Sequence, residues 1–438
     1  MRRHHQRTSG RADAHGADGC ALFGCGEVEG TVRTGDSLHE HLVTRKHANR
    51  LQRLEHIEQQ TLDAFTEARA RERRGVLKAG SLLGAMAVAG PLFSRTASAG
   101  PPSGPDTRRG GGRVHVVESN RETTKLGVID ATLPNFVEVD SGDTIVYRNT
   151  WTHYLNQLQP GVPLETLLAI RQANPGRGAH SVTGPIGVRD AQPGDVVEVR
   201  FQRLLPVPWG VTYNYPGALG TGAVPDAFPE GHIKYLDLDL DEMAVRFDRD
   251  IHLSLAPFQG LFGVAHPDGF FGSTNGVVSS TPPGPHGGNM DLRELGEGSR
   301  LFLPVWRPGA KIYTADSHAL QGDGEVNLTA VETAMQEVRI QVFLHEQGGL
   351  TFPIAETSSH WIVLAVDRDL DQALRLCVLS AIDFLEKRVA LSRSDAYALL
   401  SIGASFRVTQ VVDINKGVHC MIPKSIFSPR LRHQIRVV

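Results

Sequence analysis

The segment 314–326 concentrates side chains that could bind a metal ion or transfer a proton. Five such groups lie within ten positions, and they are Asp316, His318, Gln321, Asp323 and Glu325. No lysine or arginine lies among them to balance the carboxylates, so the segment is not a solvated patch of mixed charge. On an extended backbone, side chains two residues apart point to the same side, which pairs Asp316 with His318.

Two glycines interrupt this segment. Gly322 and Gly324 permit a sharp turn, which would carry Asp323 and Glu325 back toward the preceding pair. The expected product is one cluster of carboxylate and imidazole groups. Such a cluster suits a divalent cation and an activated water.

A second cluster lies in the segment 285–291, where paired glycines would let the backbone approach a ligand closely. His286, Asn289 and Asp291 supply its side chains. The alternative is a hairpin turn in which the Asn and Asp side chains bond to their own backbone.

Three further histidines are weaker candidates. His360 opens a predicted strand, where a lone histidine is more often structural than a ligand. His180 stands in a glycine-containing segment, and His153 follows Trp151 and Thr152 with little supporting context.

Other catalytic designs are poorly supported. The chain has no G-x-S-x-G nucleophile motif. Cys377 falls in the middle of a predicted helix, where a small core residue is the simpler interpretation. Cys420 has only the adjacent His419 as a base. A metal-activated water is therefore the most economical nucleophile.

The overall composition is that of an ordinary globular protein. A net charge of -3 over 438 residues, with 21% charged residues, gives no basic field for nucleic acid. The counts of 46 glycines and 25 prolines favour a turn-rich, β-dominated architecture. Four cysteines are too few for a disulfide framework in a chain of this length.

Short stretches rich in β-branched and aromatic residues recur between Gly and Pro turn signals. The strands predicted from them are 136–139, 144–147, 196–201, 300–304, 338–343, 361–366 and 406–412. The prediction is a β-dominated α+β fold with sandwich-like or barrel-like sheets.

Helices are predicted only toward the C-terminus. Apolar residues at helical spacing predict an amphipathic helix at 369–389, with acidic residues at its start and Lys387 and Arg388 at its end. A second, short helix is predicted at 394–402, beginning at Ser394 and Asp395.

Residues 73–99 have the pattern of an export signal. Arg73 and Arg74 precede an apolar run at 79–93, and a small-residue cleavage site ends at Ala99. The arginine pair resembles a twin-arginine signal, which exports folded proteins. The alternative is a membrane anchor, but the run is shorter than the ~20 residues of a span. We therefore expect a periplasmic or exported protein without a stable span after cleavage.

The remaining boundaries follow from composition. Residues 1–72 are an extended leader or a mis-assigned start, and the Pro/Gly/Ser/Arg-rich segment 100–112 is a linker. The catalytic region is expected at 113–427, followed by a tail at 428–438.

From about residue 115 to 427 the chain resembles the acetamidase/formamidase family. The matching segments are 184–185, 193–195, 285–291, 315–325, 411–413 and 423–427. The segment 315–325 is the specific one, whereas the Pro-Gly-Asp turn at 193–195 is common. The resemblance implies hydrolysis of small linear amides to a carboxylate and ammonia, a β-rich fold, a divalent metal with zinc favoured, and a homo-oligomer. Members are mostly cytoplasmic, so the export signal is a departure from the family.

With this resemblance, site roles are assigned to the two motifs. The expected metal ligands are His286, Asp316 and His318, with Asp291, Asp323 and His360 as further or supporting ligands. Glu325 is the expected general base, with metal ligation as its alternative role. Asn289 or a nearby glycine N–H is expected to stabilise the oxyanion.

Other functions stay open from the sequence. An exported protein that captures small amides is one alternative, although such proteins usually alternate strands and helices. A structural calcium site in a β-sandwich is another, although His318 is not a ligand that calcium favours. Some relatives open cyclic amides, so lactams are an alternative substrate.

Overall fold

The computed structural model describes residues 112–438. The predictions of a leader at 1–72 and an export signal at 73–99 lie outside the described residues, as does the linker at 100–112 except for Gly112. Within the described residues, no helix is long and apolar enough to cross a membrane.

Two large β-sheets dominate residues 112–438. In spatial order, the nine strands of the first sheet are β1 (Val114–Glu118), β5 (Thr144–Arg148), β18 (Met335–His345), β7 (Val196–Pro206), β15 (Arg300–Pro304), β19 (Ile354–Glu356), β20 (His360–Asp367), β22 (Lys416–Pro423) and β21 (Ser405–Gln410). Most neighbouring strands are antiparallel, whereas β1 and β5 are parallel.

The second sheet is built around one central strand. Its main path runs β11 (Ile251–Ser254), β10 (Ala244–Asp248), β9 (His232–Asp239), β8 (Trp209–Asn214), β17 (Val331–Thr333), β16 (Ile312–Leu320), β12 (Phe258–Gly263) and β14 (Gly287–Asn289). Strand β6 (Ser181–Val188) pairs with β16, and it also pairs with β2 (Thr124–Leu126) and β4 (Val137–Val139). A separate pair is formed by β3 (Val128–Asp130) and β13 (Val277–Ser279).

Helices are few and short except for one. They are the helical turn α1 (His153–Asn156), α2 (Leu164–Ala173), α3 (Leu370–Val389), α4 (Arg393–Gly403) and α5 (Pro429–Gln434). Single 3₁₀ turns lie at Gly217–Leu219, Pro225–Ala227, Phe270–Gly272 and Lys424–Ile426.

The main core lies between the two sheets. Ile145 and Phe201 of the first sheet belong to the same buried apolar cluster as Phe262 and Ile312 of the second. This is the packing of a β-sandwich, in which alternate side chains of each strand face inward. The predicted β-dominated α+β fold is confirmed.

A second core lies on the opposite face of the first sheet. Trp361 of β20 packs there with Cys377, Ala381 and Leu385 of α3. Strands β20 and β22 therefore bury both faces, one against the second sheet and one against helices. Cys377 is fully buried, as expected for a small core residue.

Both predicted helices are confirmed. Helix α3 begins after Asp369, whose carboxylate accepts a hydrogen bond from the Gln372 N–H at 2.9 Å. Helix α4 begins one residue earlier than predicted, because Ser392 caps it by accepting from the Asp395 N–H at 3.1 Å. Helix α2 was not predicted, since only Leu164 and Leu167 of its ten residues are buried and the apolar stripe is short.

A buried carboxylate holds the turn between β4 and β5. Asp143 accepts hydrogen bonds from the Arg113 N–H at 2.8 Å and the Asp140 N–H at 3.0 Å. His115 Nε2 lies 2.7 Å from the same carboxyl group. Burial acts to raise the pKa of Asp143, but these hydrogen bonds outweigh it and hold the pKa below its ordinary value.

We expect Asp143→Asn to lower the free energy of unfolding by about 1–3 kcal/mol near neutral pH, because buried donors lose their acceptor. A depressed folded pKa stabilises the protein above the unfolded pKa of about 3.9, and this contribution is lost as pH falls through the folded value. The gap between variant and wild type should therefore shrink toward about pH 2 in urea unfolding. Asp237→Asn, an exposed change on β9, is the control. Equal losses in both variants, or a gap that persists in acid, would contradict this role.

Candidate functional site

Strand β16 is the scaffold of the candidate site. It is buried along nearly its whole length between β12, β17 and β6. Asp316 and His318 lie on one side of it, with Asp316 Oδ2 3.2 Å from His318 Nε2. The spacing of two residues therefore places the carboxylate and the imidazole together, as the alternation of side chains predicts.

The neighbouring strand β17 adds a second carboxylate. Its pairing with β16 sets Glu332 directly opposite His318. Glu332 Oε1 lies 3.2 Å from His318 Nε2, so this imidazole is placed between two buried carboxylates.

Two more histidines approach Asp316 from outside these strands. His153 Nε2, in the turn α1, lies 2.8 Å from Asp316 Oδ1 and 3.3 Å from Glu332 Oε2. His180, just before β6, places its Nε2 3.8 Å from Asp316 Oδ1. Asp316 is thus contacted by three imidazoles.

Three loops complete the arrangement. Donor atoms of Asp291, His318 and Glu325 lie within 4.8 Å of one another. Asp413, in the turn between β21 and β22, forms a hydrogen bond with Asp291. We call these eight residues the central cluster: His153, His180, Asp291, Asp316, His318, Glu325, Glu332 and Asp413.

Three acids of the central cluster have left-handed backbone conformations. The φ angles are 51° at Asp291, 60° at Asp316 and 44° at Glu325. Residues other than glycine seldom adopt this region, and aspartate tolerates it better than most. Such strain persists where surrounding structure fixes it, and it gathers at functional sites.

The acids of the central cluster divide into two electrostatic groups. Burial acts to raise the pKa of Asp316, but His318, His180 and the hydrogen bond from His153 outweigh it and hold the pKa well below its ordinary value. The Glu332 pKa is also lowered, because His318 and His153 outweigh burial and the nearby Asp316.

The other three acids favour the protonated form. Burial, with the charge of Asp316, raises the pKa of Asp291 to about 7. Burial and Asp291 together raise the pKa of Glu325 and of Asp413 well above their ordinary values. Carboxyl groups so close together cannot all ionise unless positive charge is supplied.

The histidines divide in the same way. Burial lowers the pKa of His180 to about 4. At His153 burial also acts to lower the pKa, but Glu332 and Asp316 outweigh it and raise the value to about 9. His318, between Asp316 and Glu332, has its pKa raised well above the ordinary value for the same reason.

No lysine or arginine of the described residues forms an ion pair with a member of the central cluster. Five carboxyl groups therefore meet three imidazoles in a site whose members are each at most 7% exposed. His153 and His318 can balance two of these carboxylates, but the other three can ionise in this buried site only if further positive charge, such as a metal ion, is supplied. The cluster has the donor types that zinc, manganese and iron accept.

A glycine leaves space where the donors converge. A Cβ at Gly260 of β12 would lie 2.5 Å from both Asp291 Oδ1 and Asp316 Oδ2, and 2.6 Å from His318 Cε1. Asp291 Oδ1 and His318 Nδ1 are also buried without a hydrogen-bond partner among the described residues. Unpaired donors that converge on a position without a side chain fit a bound cation.

Some predicted site residues lie elsewhere. His286 is fully buried beside Phe270 and His266, with ring centroids 4.8 and 6.2 Å away, and among the described residues it belongs to no group of converging donors. His360 is half-buried at the start of β20, with Nδ1 2.8 Å from Ser359 Oγ. These two residues are not brought to the central cluster.

Asp323 and Glu325 turn to different sides. Asp323 lies outside the central cluster, in a group with Glu294 and His419. Gly324 has φ of 96° between them, so the predicted turn forms but delivers only one of the two acids. Asn289 lies at the edge of the cluster, where its Nδ2 donates to Asp291 Oδ2 at 3.3 Å. Its predicted role at an oxyanion stays a prediction.

The sequence did not single out Glu332 or Asp413, and it ranked His153 and His180 low. The sequence did hold one indication for Glu332, which is the only charged residue between positions 327 and 336. Asp413 belongs to a segment that matched the family, but nothing in its neighbours indicated a role. His153 and His180 reach the site through folding that their local sequence does not encode.

The fold and the central cluster together define a β-sandwich protein with a buried, acidic, histidine-containing centre. A model of the Acetamidase/Formamidase family matches residues 170–280 and 274–429. These segments include every member of the central cluster except His153. The chain therefore belongs to the acetamidase/formamidase family, which confirms the resemblance seen in its motifs.

Individual relatives agree with this assignment. The chain is 25% identical over 281 residues to an acetamidase of Mycolicibacterium smegmatis, covering 48% of this chain and 69% of that protein. It is 24% identical over 319 residues to a formamidase of Methylophilus methylotrophus, covering 58% of this chain and 78% of that protein.

Solved structures show the same fold. The acetamidase of Bacillus halodurans superposes with a TM-score of 0.63 at 27% identity, covering 72% of this chain and 98% of that one. A predicted acetamidase/formamidase of Thermoanaerobacter tengcongensis gives a TM-score of 0.61 at 26% identity, covering 72% and 97%.

The position of His153 depends on a tyrosine. Tyr213 Oη lies 2.8 Å from His153 Nδ1, and the other ring nitrogen faces Asp316. Tyr213 is only 2% exposed, so solvent does not replace this contact. A partner on the far nitrogen fixes the orientation of a ligating imidazole.

We expect Tyr213→Phe to weaken the binding of a divalent cation by about 10- to 100-fold, the usual effect of removing such a partner. Zinc titration against a chromophoric chelator measures it. Tyr147→Phe is the matched control, because the Tyr147 hydroxyl is buried without a hydrogen-bond partner among the described residues. An unchanged zinc affinity in Tyr213→Phe, with the fold intact, would remove Tyr213 from this role.

Proposed function

We propose that this protein is a divalent-metal-dependent amidohydrolase that cleaves the C–N bond of small linear amides to give a carboxylate and ammonia. Membership of the acetamidase/formamidase family supports the amide substrate. The acetamidase and formamidase relatives named above support it as well.

One observation carries the metal dependence. The central cluster buries five carboxyl groups with three imidazoles, and no lysine or arginine between residues 112 and 438 pairs with it. These groups surround a position that a single Cβ at Gly260 would fill. The residues that would hold the cation are those that meet at Gly260, namely Asp291, Asp316 and His318. His153, His180 and Glu332 lie beside Asp316 in two overlapping groups of donors. A divalent cation bound there would acidify a water ligand and polarise the amide carbonyl.

Proton transfer is assigned to Glu325. Its carboxyl group lies within 4.8 Å of donors of Asp291 and His318. It comes from a turn, whereas Asp316, His318 and Glu332 are fixed on strands. In this role a Glu325 carboxylate oxygen takes a proton from the attacking water. The same oxygen returns the proton to the amide nitrogen as the C–N bond breaks, which releases ammonia.

The enclosure of the site favours small substrates. Every member of the central cluster is at most 7% exposed, which leaves little room for a bulky acyl group. Asn289 Nδ2 donates one of its two hydrogens to Asp291 Oδ2, so it supports that carboxylate and keeps a second hydrogen for an oxyanion. A glycine N–H of the segment 285–291 stays the alternative oxyanion donor.

Export is also proposed, on the sequence pattern alone. Arg73 and Arg74, the apolar run at 79–93 and the small residues before Gly100 support a twin-arginine signal. Because this route carries folded proteins, a metal-dependent enzyme using it would acquire its cation before leaving the cytoplasm.

The wild-type protein should release ammonia steadily from formamide, acetamide or propionamide, and removal of metal by a chelator should abolish the release. Gly260→Ala should lower turnover by about 100-fold or more and reduce bound metal, because the new methyl group displaces converging donors. Gly296→Ala is the control, since its added Cβ would meet only the Pro257 carbonyl at an ordinary 3.7 Å.

The ammonia assay tests amide hydrolysis, and elemental analysis tests metal binding. Saturable amide binding without turnover would identify a capture protein instead of an enzyme. Full activity after all metal has been stripped would overturn the metal dependence while leaving the amidase assignment intact.

Glu325→Gln should lower turnover by about 100- to 10,000-fold, the usual contribution of general acid–base catalysis, with metal content unchanged. Glu346→Gln, an exposed change after β18, should have no effect on either quantity. Loss of metal from Glu325→Gln would identify Glu325 as a ligand, and near-normal turnover would assign the proton transfer to another group.

A further inference from the structure

A cavity of about 590 Å³ lies on the outer face of the first sheet, and no member of the central cluster lines it. Strand β7 shows how the sequence creates this face. Val197 and Val199 point into the core between the sheets, whereas Glu198 and Arg200 line the cavity. Phe302 and Trp361 supply an apolar part of its wall.

Like charges meet across the floor of the cavity. Arg200 of β7 stands directly opposite Arg300 of β15, and Arg300 stands opposite Glu356 of β19. Two like charges in directly opposed positions destabilise a sheet unless an anion compensates them.

The carboxylates of the protein balance only part of the positive charge of these arginines. Arg200 Nε lies 2.6 Å from the buried Glu198. Glu356 is shared by Arg300 at 2.8 Å and Lys424 at 2.6 Å. The two carboxylates are therefore already engaged by the cations of the floor.

Two further arginines of the cavity lining have no carboxylate partner in the part of the chain that the structure describes. Arg432 of α5 and Arg436 line the cavity, and neither forms an ion pair with a described residue. Arg432 is half-buried, and the Arg436 guanidinium bonds to the carbonyls of His433 and Ile435. Because Arg436 is exposed and Arg432 is half-buried, neither guanidinium group is shielded from an anion that enters the cavity.

We infer that this cavity binds a small polyanion, with Arg432 of α5 and Arg436, two residues after the helix, among the groups that hold it. Five cationic side chains line the cavity against two carboxylate side chains. Guanidinium groups present planar pairs of donors that suit carboxylate and phosphate oxygens. The volume lies within the range of small-ligand sites. The candidate ligands share negatively charged oxygens, which belong either to a tetrahedral oxyanion or to a pair of carboxylates.

Two probes distinguish a tetrahedral oxyanion from a dicarboxylate as the ligand. Sulfate represents the tetrahedral oxyanion and glutarate the dicarboxylate, and both bind divalent cations too weakly to strip the central cluster. Isothermal titration calorimetry of the metal-loaded protein, at ionic strength held constant with sodium chloride, should show saturable binding of one equivalent of at least one probe. Constant ionic strength removes non-specific screening from the comparison.

The double variant Arg432→Gln/Arg436→Gln should weaken binding of that probe by at least about tenfold, because charge-assisted hydrogen bonds to the anion are lost. Arg246→Gln/Arg249→Gln, on the β10–β11 hairpin, removes the same charge at a distance and should bind as the wild type does. Amidase turnover and thermal unfolding of both double variants verify that the fold and the central cluster are intact.

Sulfate binding alone would define an oxyanion site, glutarate binding alone a dicarboxylate site, and binding of both a general polyanion site. The inference fails if neither probe gives saturable binding. It also fails if the two double variants lose affinity equally, since the effect would then reflect net charge and not this cavity.

Discussion

The structure depends on the burial of negative charge around Asp316 and His318. Each carboxylate of the central cluster is out of contact with bulk water, and each is either paired with an imidazole or forced toward its protonated form. Such an arrangement is unfavourable by itself, because desolvated charges repel one another more strongly than they do in water. The rest of the fold can be understood as the framework that tolerates this cost. The two-sheet core supplies the packing, and β16 carries the charge at its centre, shielded by β12 and β17.

The left-handed backbone at Asp291, Asp316 and Glu325 is part of the same framework. Each such residue costs on the order of 1–3 kcal/mol. A glycine would remove this strain, but it would also remove the carboxyl group. The strain directs the three carboxyl groups to one place from a loop, a strand and a turn. Gly260 completes the arrangement by having no side chain at the point where these groups meet.

How far the sequence predicted this site depended on the range of the interactions. The pairing of Asp316 with His318 follows from strand alternation, and the turn to Glu325 follows from Gly324, so both were predictable from local rules. The positions of His153 and His180 were not, because they require strands far apart in the chain to pair in one register. Glu332 was hidden for another reason. A single glutamate in a short strand gives no periodic signal, and its contact with His318 appears only when β17 aligns with β16.

His286 is a predicted ligand that the structure does not bring to the central cluster. A histidine beside paired glycines and a nearby Asp suggested a ligand, and its fully buried ring packs against Phe270. The motif does belong to a loop that reaches the central cluster, since Asp291 is a member of it. It could not distinguish which side chain of that loop turns inward, because that choice depends on backbone angles that residue types alone do not fix.

The central cluster gathers residues from His153 to Asp413, so its parts are separated by most of the described chain. Contacts of such long sequence separation form late and slowly in folding. The donors therefore come together only in the complete tertiary structure. If the proposed cation binds there, it binds only the native state and stabilises it against unfolding, whereas incompletely folded molecules gain no such stabilisation.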